Sequence, residues 1–131
     1  LSNIIGLGVE ISNAFYLKYQ DWYIKNKFGK RPIMPKQKLH GNRTVPEHLG
    51  FYEVQLSALA ALWECVSYAT GIPLEICEVK GESESCKDGS FTGFINHYNL
   101  TSNKMDCASL DMKLILDKAL EVRDERNSSL L

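Results

Sequence analysis

No apolar run in this 131-residue chain approaches the ~20 residues that carry a helix across a bilayer. Nothing near its start has the charged, apolar and small-residue zones of a secretory signal either. A membrane span is therefore not expected. The four cysteines, Cys65, Cys77, Cys86 and Cys107, include no C-x-x-C pair and are too few and too irregular for a disulfide framework. Cys65 is expected on a helix face as a small buried hydrophobe. Cys77 and Cys86 flank a loop and could pair in an oxidising compartment, but are read as reduced thiols. There are no internal repeats and no low-complexity segments. Acid is missing from one stretch altogether. Between Trp22 and Pro46 the chain carries Lys25, Lys27, Lys30, Arg31, Lys36, Lys38 and Arg43 and no carboxylate, which leaves about −8 for the remainder of a chain whose net charge is −1.

An apolar fraction of 44% with 24% charged residues is ordinary for a soluble globular protein. The length fits one domain with a core that needs no disulfides. The basic stretch reads as a solvated loop, or as a rim facing an anionic polymer or carboxylates. It lacks the aromatic interleaving and the recognition helix of a nucleic-acid binder, so DNA and RNA are not expected partners.

Residues 1–12 alternate at period two, with Ile5, Leu7, Val9 and Ile11 on one side and Ile4, Gly6, Gly8 and Glu10 on the other. This predicts a strand whose second face is uncluttered around Glu10. Glycines there mark either close approach by a ligand or a strand end with Glu10 in water. Phe15, Tyr16, Tyr19, Trp22 and Tyr23 form an aromatic crowd, more often a satellite core than a sugar platform. A long loop follows to Gly50, holding three of the four prolines and two histidines, His40 and His48, each able to approach a metal. Residues 51–70 predict a helix, with Tyr52, Leu56, Leu59, Trp63 and Val66 on one stripe and Gly71 and Pro73 as stop signals. Residues 74–79 predict a short strand, 80–93 an exposed loop, and 94–98 a brief strand with His97 near its end. From Ser109, read as an N-cap with Asp111 in the first turn, a second helix carries Met112, Ile115, Ala119 and Val122 inward and frays after Arg123. The order predicts an α/β domain with a mixed sheet flanked by helices.

The chemistry gathers in residues 97–107, HYNLTSNKMDC, which place an imidazole, an ammonium, a carboxylate and a thiol within eleven positions. A zinc hydrolase needs three protein ligands, an open position for water, a base for that water's proton and a cation for the oxyanion. His97 with Cys107 or Asp106 would give two ligands, Lys104 the cation and Glu10 the base. On spacing alone this remains an ordinary loop.

Residues 97–107 followed by a helix resemble the C-terminal motif of the zinc-dependent N-acetylmuramoyl-L-alanine amidases. That family shares its fold with peptidoglycan recognition proteins and the amidase-type phage endolysins. In it, a strand-closing histidine precedes a stretch ending in K-x-D-P-G, K-x-C-P or K-x-D-C-P-G, here Lys104-Met105-Asp106-Cys107. GLGVEI over residues 6–11 resembles the family's I-G-I-E-L strand. Residues 52–74 resemble the helix that precedes the histidine strand. All three motifs, each short, occur in the family's order, and from first to last the resemblance spans nearly the whole chain.

The resemblance implies an amidase/recognition-protein-like α/β fold and a Zn2+ cofactor. It implies His97 as a zinc ligand, Lys104 as oxyanion stabiliser and Glu10 as general base. The last ligand is Cys107, favoured as the softer donor, or Asp106. The proline or glycine expected after that ligand is replaced by Ala108-Ser109. The family's first zinc histidine lies upstream of the I-G-I-E-L strand, so the chain reads as the C-terminal two-thirds of one domain completed by an upstream polypeptide, as its opening Leu1 also suggests. Expected function follows: hydrolysis of the muramoyl–alanine amide in peptidoglycan at the bacterial cell wall, in a lytic role of the phage type. A non-catalytic peptidoglycan-binding module and a structural component of a larger particle are the competing expectations.

Overall fold

The computed structural model describes residues 6–130. Their order is a 3-10 turn (Leu17–Tyr19), α1 (Gln20–Lys25), β1 (Ile33–Met34), β2 (Gln37–Leu39), β3 (Arg43–Val45), β4 (His48–Leu49), α2 (Glu53–Thr70), α3 (Glu84–Lys87), a second 3-10 turn (His97–Asn99) and α4 (Met112–Ser129). The element classes are those of a mixed α/β chain. The strands, however, form two separate antiparallel ribbons, β1 with β4 and β2 with β3, instead of one mixed sheet among the described residues.

The two long helices make the main core. Leu59, Ala60 and Trp63 of α2 pack with Met112, Ile115 and Ala119 of α4, with Leu74 and Leu110 closing the cluster. Gln55 reaches back to accept the Tyr52 amide at 2.9 Å, and Gly71, at φ +79°, ends α2 with its amide on the Ser67 carbonyl. The cap of α4 is Asp111, whose carboxylate accepts from the Leu114 amide at 3.0 Å, not Ser109. Nor does α4 fray after Arg123. It runs on to Ser129, held by Arg126, which donates from Nε and Nη2 to buried Glu64 Oε1 at 2.9 and 2.6 Å and stacks over Tyr68. Polar composition was a poor guide there because that turn is fastened by an ion pair, not by apolar burial.

The predicted first strand needs correction. Residues 1–5 lie outside the described residues, and residues 6–12 pair with no strand. Leu7 and Val9 are exposed, and a Cβ at Gly6 or Gly8 would meet nothing within 4 Å. Period-two alternation permits a strand but supplies no partner edge. The strands expected at 74–79 and 94–98 shrink to one parallel bridge, Ile76 with Phe94, beyond which the chain turns into the His97–Asn99 3-10 helix. Trp63 stacks on Phe94 with ring centroids 4.4 Å apart, so the bridge still roofs the core.

The long basic loop is not simply solvated. It contains all four short strands, and Leu39, Val45, His48 and Leu49 are buried. Arg31 is fully buried. Its guanidinium donates to the carbonyls of Ala14, Leu49 and Gly50 and sits 4.5 Å from the Tyr23 ring centroid, so it fastens the N-terminal segment to the ribbon. The aromatic crowd divides: Phe15 packs half-buried against the Leu39–Val45–Tyr98 cluster as a satellite core would have it, while Tyr16, Tyr19 and Trp22 are exposed and Trp22 stacks on exposed Phe28. Cys65 is likewise exposed rather than buried. No helix among the described residues is long and apolar enough to cross a membrane.

Candidate functional site

The stretch 97–107 is a loop pinned between two hydrophobic clusters. Tyr98 and Ala108 enter the smaller one with Leu39 and Val45, while Cys107 packs against the α2–α4 core. Two asparagines shape the loop from inside. Asn96, buried, donates to the Tyr98 hydroxyl at 3.0 Å and accepts the Cys107 amide at 3.4 Å. Asn99, fully buried, accepts the Asn96 amide at 2.8 Å and donates to the carbonyls of Val79 and Gly81 at 2.9 and 2.8 Å. The Tyr98 amide donates to the Asp106 carbonyl across the loop neck. Buried amide side chains are stable only when so satisfied.

These anchors leave His97, Lys104 and Asp106 exposed on one loop. The His97 ring reaches back across it, Nδ1 lying 3.0 Å from Asp106 Oδ2. The Lys104 ammonium makes no ion pair among the described residues, and its carbonyl accepts from His40 Nε2 at 2.9 Å. The close seating of Gly81 on His40 steadies that link, since a Cβ at Gly81 would stand 3.1 Å from His40 Cα.

Cys107 is a different kind of group. Burial, with a smaller contribution from the Asp106 carboxylate, pushes its thiol up to about 11. It is protonated at neutral pH, and a thiol must ionise before it ligates zinc. Glu10 is exposed and makes no hydrogen bond or ion pair with the loop among the described residues. Of the predicted site residues, His97, Asp106 and Lys104 thus share one exposed loop, Cys107 turns to the core, and Glu10 stands on a separate irregular segment.

The donor set can be tested against zinc. Ligand bonds of 2.0–2.2 Å in a tetrahedron place two donor atoms about 3.3 Å apart. The 3.0 Å between His97 Nδ1 and Asp106 Oδ2 is within a few tenths of that edge. Two donors fit; no group of three His, Cys, Asp or Glu side chains suited to a metal occurs among the described residues. His48 cannot complete the set where it stands. It is buried against Phe15, its Nδ1 donating to the Pro46 carbonyl at 2.7 Å and its Nε2 hydrogen-bonded to the Ser109 hydroxyl.

The sequence reading overlooked Asn96 and Asn99. Their spacing of three, flanking a histidine, was the available signal, since each can reach the other's backbone across a tight turn. No family model matches the chain, and neither the curated proteins nor the solved structures contain a match.

Proposed function

We propose that this chain acts as a zinc-dependent amidase, on an amidase/recognition-protein-like fold, that hydrolyses the bond between N-acetylmuramic acid and L-alanine in peptidoglycan. The observation that carries the reading is the approach of His97 Nδ1 to Asp106 Oδ2, 3.0 Å, on an exposed loop that also presents Lys104. Its support from sequence is the family order of the three motifs. His97 and Asp106 would hold the metal as two of its three protein ligands. Asp106 takes precedence over Cys107 because it is exposed and already paired with His97, while the Cys107 thiol is half-buried against the core and protonated.

When bound, zinc supplies Lewis-acid polarisation and an acidified water. The chain's own groups do the rest. Lys104 sets a fixed positive charge beside the oxygen that gains charge as the amide carbon becomes tetrahedral. Glu10, which stands on a separate irregular segment, would take the proton of the attacking water and return it to the leaving amine of alanine once residues 6–12 bring its carboxylate to the loop. The exposed lysines of residues 25–38 face stem-peptide carboxylates.

The test is clearing of cell-wall suspensions by the zinc-loaded protein, with Glu10→Ala and Lys104→Ala beside the parent. Loss of about 10²–10³ in rate is expected for Lys104→Ala. Lysis by both variants at the parental rate would overturn the mechanism. A second reading, a non-catalytic peptidoglycan-binding module, is favoured by the exposed Tyr16, Tyr19, Trp22 and Phe28, a surface on which sugar rings can stack. It predicts muropeptide binding without zinc or amide cleavage.

A further inference from the structure

A lysine ammonium can stand beside one oxygen only if the backbone beneath it is held, and the loop of residues 97–107 does little of that for Lys104. The Lys104 amide makes a long bond, 3.4 Å, to the Thr101 carbonyl of its own loop. Ser102 is better secured, its amide donating to Glu82 Oε1 at 2.7 Å and its carbonyl accepting from Arg43 Nη1 at 2.9 Å. Among the described residues, the hydrogen bond that ties the Lys104 backbone to anything outside the loop is the one its carbonyl accepts from His40 Nε2, at 2.9 Å.

His40 makes that bond from a costly backbone conformation. It stands in the turn between β2 and β3 at φ +52°, with Gly41 beside it at +78°. Side chains with a Cβ adopt this left-handed region at a cost, and asparagine is among those that bear it best. Histidine in this turn therefore calls for a reason outside the turn. The ring supplies one. Buried Tyr98 meets it edge-on, centroids 6.2 Å apart and planes at 88°, and Gly81 seats against the His40 backbone and Nδ1. The His40 amide also donates to the Lys80 carbonyl at 2.9 Å. Since a carbonyl only accepts, Nε2 carries the proton and Nδ1 of the neutral ring is bare.

We propose that His40 is a positioning residue for Lys104: by donating from Nε2 to the Lys104 carbonyl, the β2–β3 turn fixes the stretch from which the ammonium is presented. The tie stands on this geometry; its effect on turnover rests on the reading of Lys104 as oxyanion stabiliser given above. A charge aimed at a developing oxyanion works by being in place beforehand. With the tie cut, Lys104 keeps its charge but not its place. Such a loss is felt in the transition state and hardly in substrate binding, so kcat falls while KM holds.

The full chain is compared with His40→Asn, which suits the turn but ends one atom short of the carbonyl, and with His40→Gln, which keeps an N–H donor at the same distance along the side chain. Nitrogen NMR of the parent imidazoles in mildly alkaline solution should show His40 as the Nε2–H tautomer. Amide exchange over residues 102–106 should quicken by about three- to tenfold in His40→Asn and return toward the parent in His40→Gln, with protection across residues 38–45 kept in both. In digestion of peptidoglycan with zinc present, kcat should fall by about ten- to a hundredfold in His40→Asn at unchanged KM, and recover in His40→Gln. An Nδ1–H tautomer, or exchange in His40→Asn equal to the parent's, overturns the tie. Lost protection across residues 38–45 makes His40 a folding residue of the turn and overturns the positioning role. Quickened exchange with unchanged turnover overturns the coupling to Lys104. A parent that binds zinc and leaves peptidoglycan uncut overturns the amidase reading instead, and the tautomer and the exchange still decide the tie.

Discussion

Between Asp106 and Cys107 one residue of sequence separates two opposite environments. The carboxylate is exposed and meets the His97 ring, while the thiol is packed on the α2–α4 core and pushed up to about 11. Softness alone favours thiolate for zinc. Position reverses the order in the proposed reading, because the Asp106 carboxylate is exposed beside His97 and the half-buried thiol must lose its proton first. Asp106→Asn is therefore expected to abolish stoichiometric zinc in the intact protein, with Cys107→Ser retaining it; metal analysis by atomic absorption reads both. The thiol also leaves a mark on stability. With its folded value raised from 9.0 to about 11, Cys107 favours the folded state below pH 9. That contribution is lost as pH rises through about 9 to 11, where the unfolded thiol has ionised and the folded one has not. In urea unfolding, the stability gap between the parent and Cys107→Ala should narrow across this window.

At the scale of elements, stability is concentrated in the α2–α4 pair. Ile115 is fully buried at its centre, so Ile115→Ala should cost about 2–5 kcal/mol in denaturant unfolding. Arg126→Ala leaves Glu64 buried without its partner and should cost about 2–3 kcal/mol, with Glu64→Gln recovering part of the loss in the double variant. Both helices were legible because eighteen residues carry five turns of periodicity. The ribbons were not, since strands of two or three residues are shorter than the window that reveals alternation. Their burial comes from Leu39, Val45 and a caged arginine, and Arg31 read as surface charge in the sequence. The loop chemistry was legible in kind, His97, Lys104 and Asp106 sharing one exposed loop. The seating of Cys107 was not, because burial of a single side chain depends on what the rest of the fold puts beside it.

Across the whole molecule, positive charge and exposed aromatics share the N-terminal part, around α1 and the ribbons, while the helical pair carries the core. An anionic, sugar-bearing polymer such as peptidoglycan matches that surface in charge and in stacking chemistry. In the proposed reading the donor pair at His97 and Asp106 would act on one bond of it. The bond can be identified directly. Purified peptidoglycan is treated with the intact zinc-loaded protein, and the new chain ends are analysed by amino-terminal labelling and mass spectrometry. Free amino groups on L-alanine are expected, appearing in step with stem peptides released from intact glycan strands, and they should disappear with a chelator or with Asp106→Asn. New reducing sugar ends, cleavage elsewhere in the stem peptide, or no new ends at all with zinc bound would contradict it.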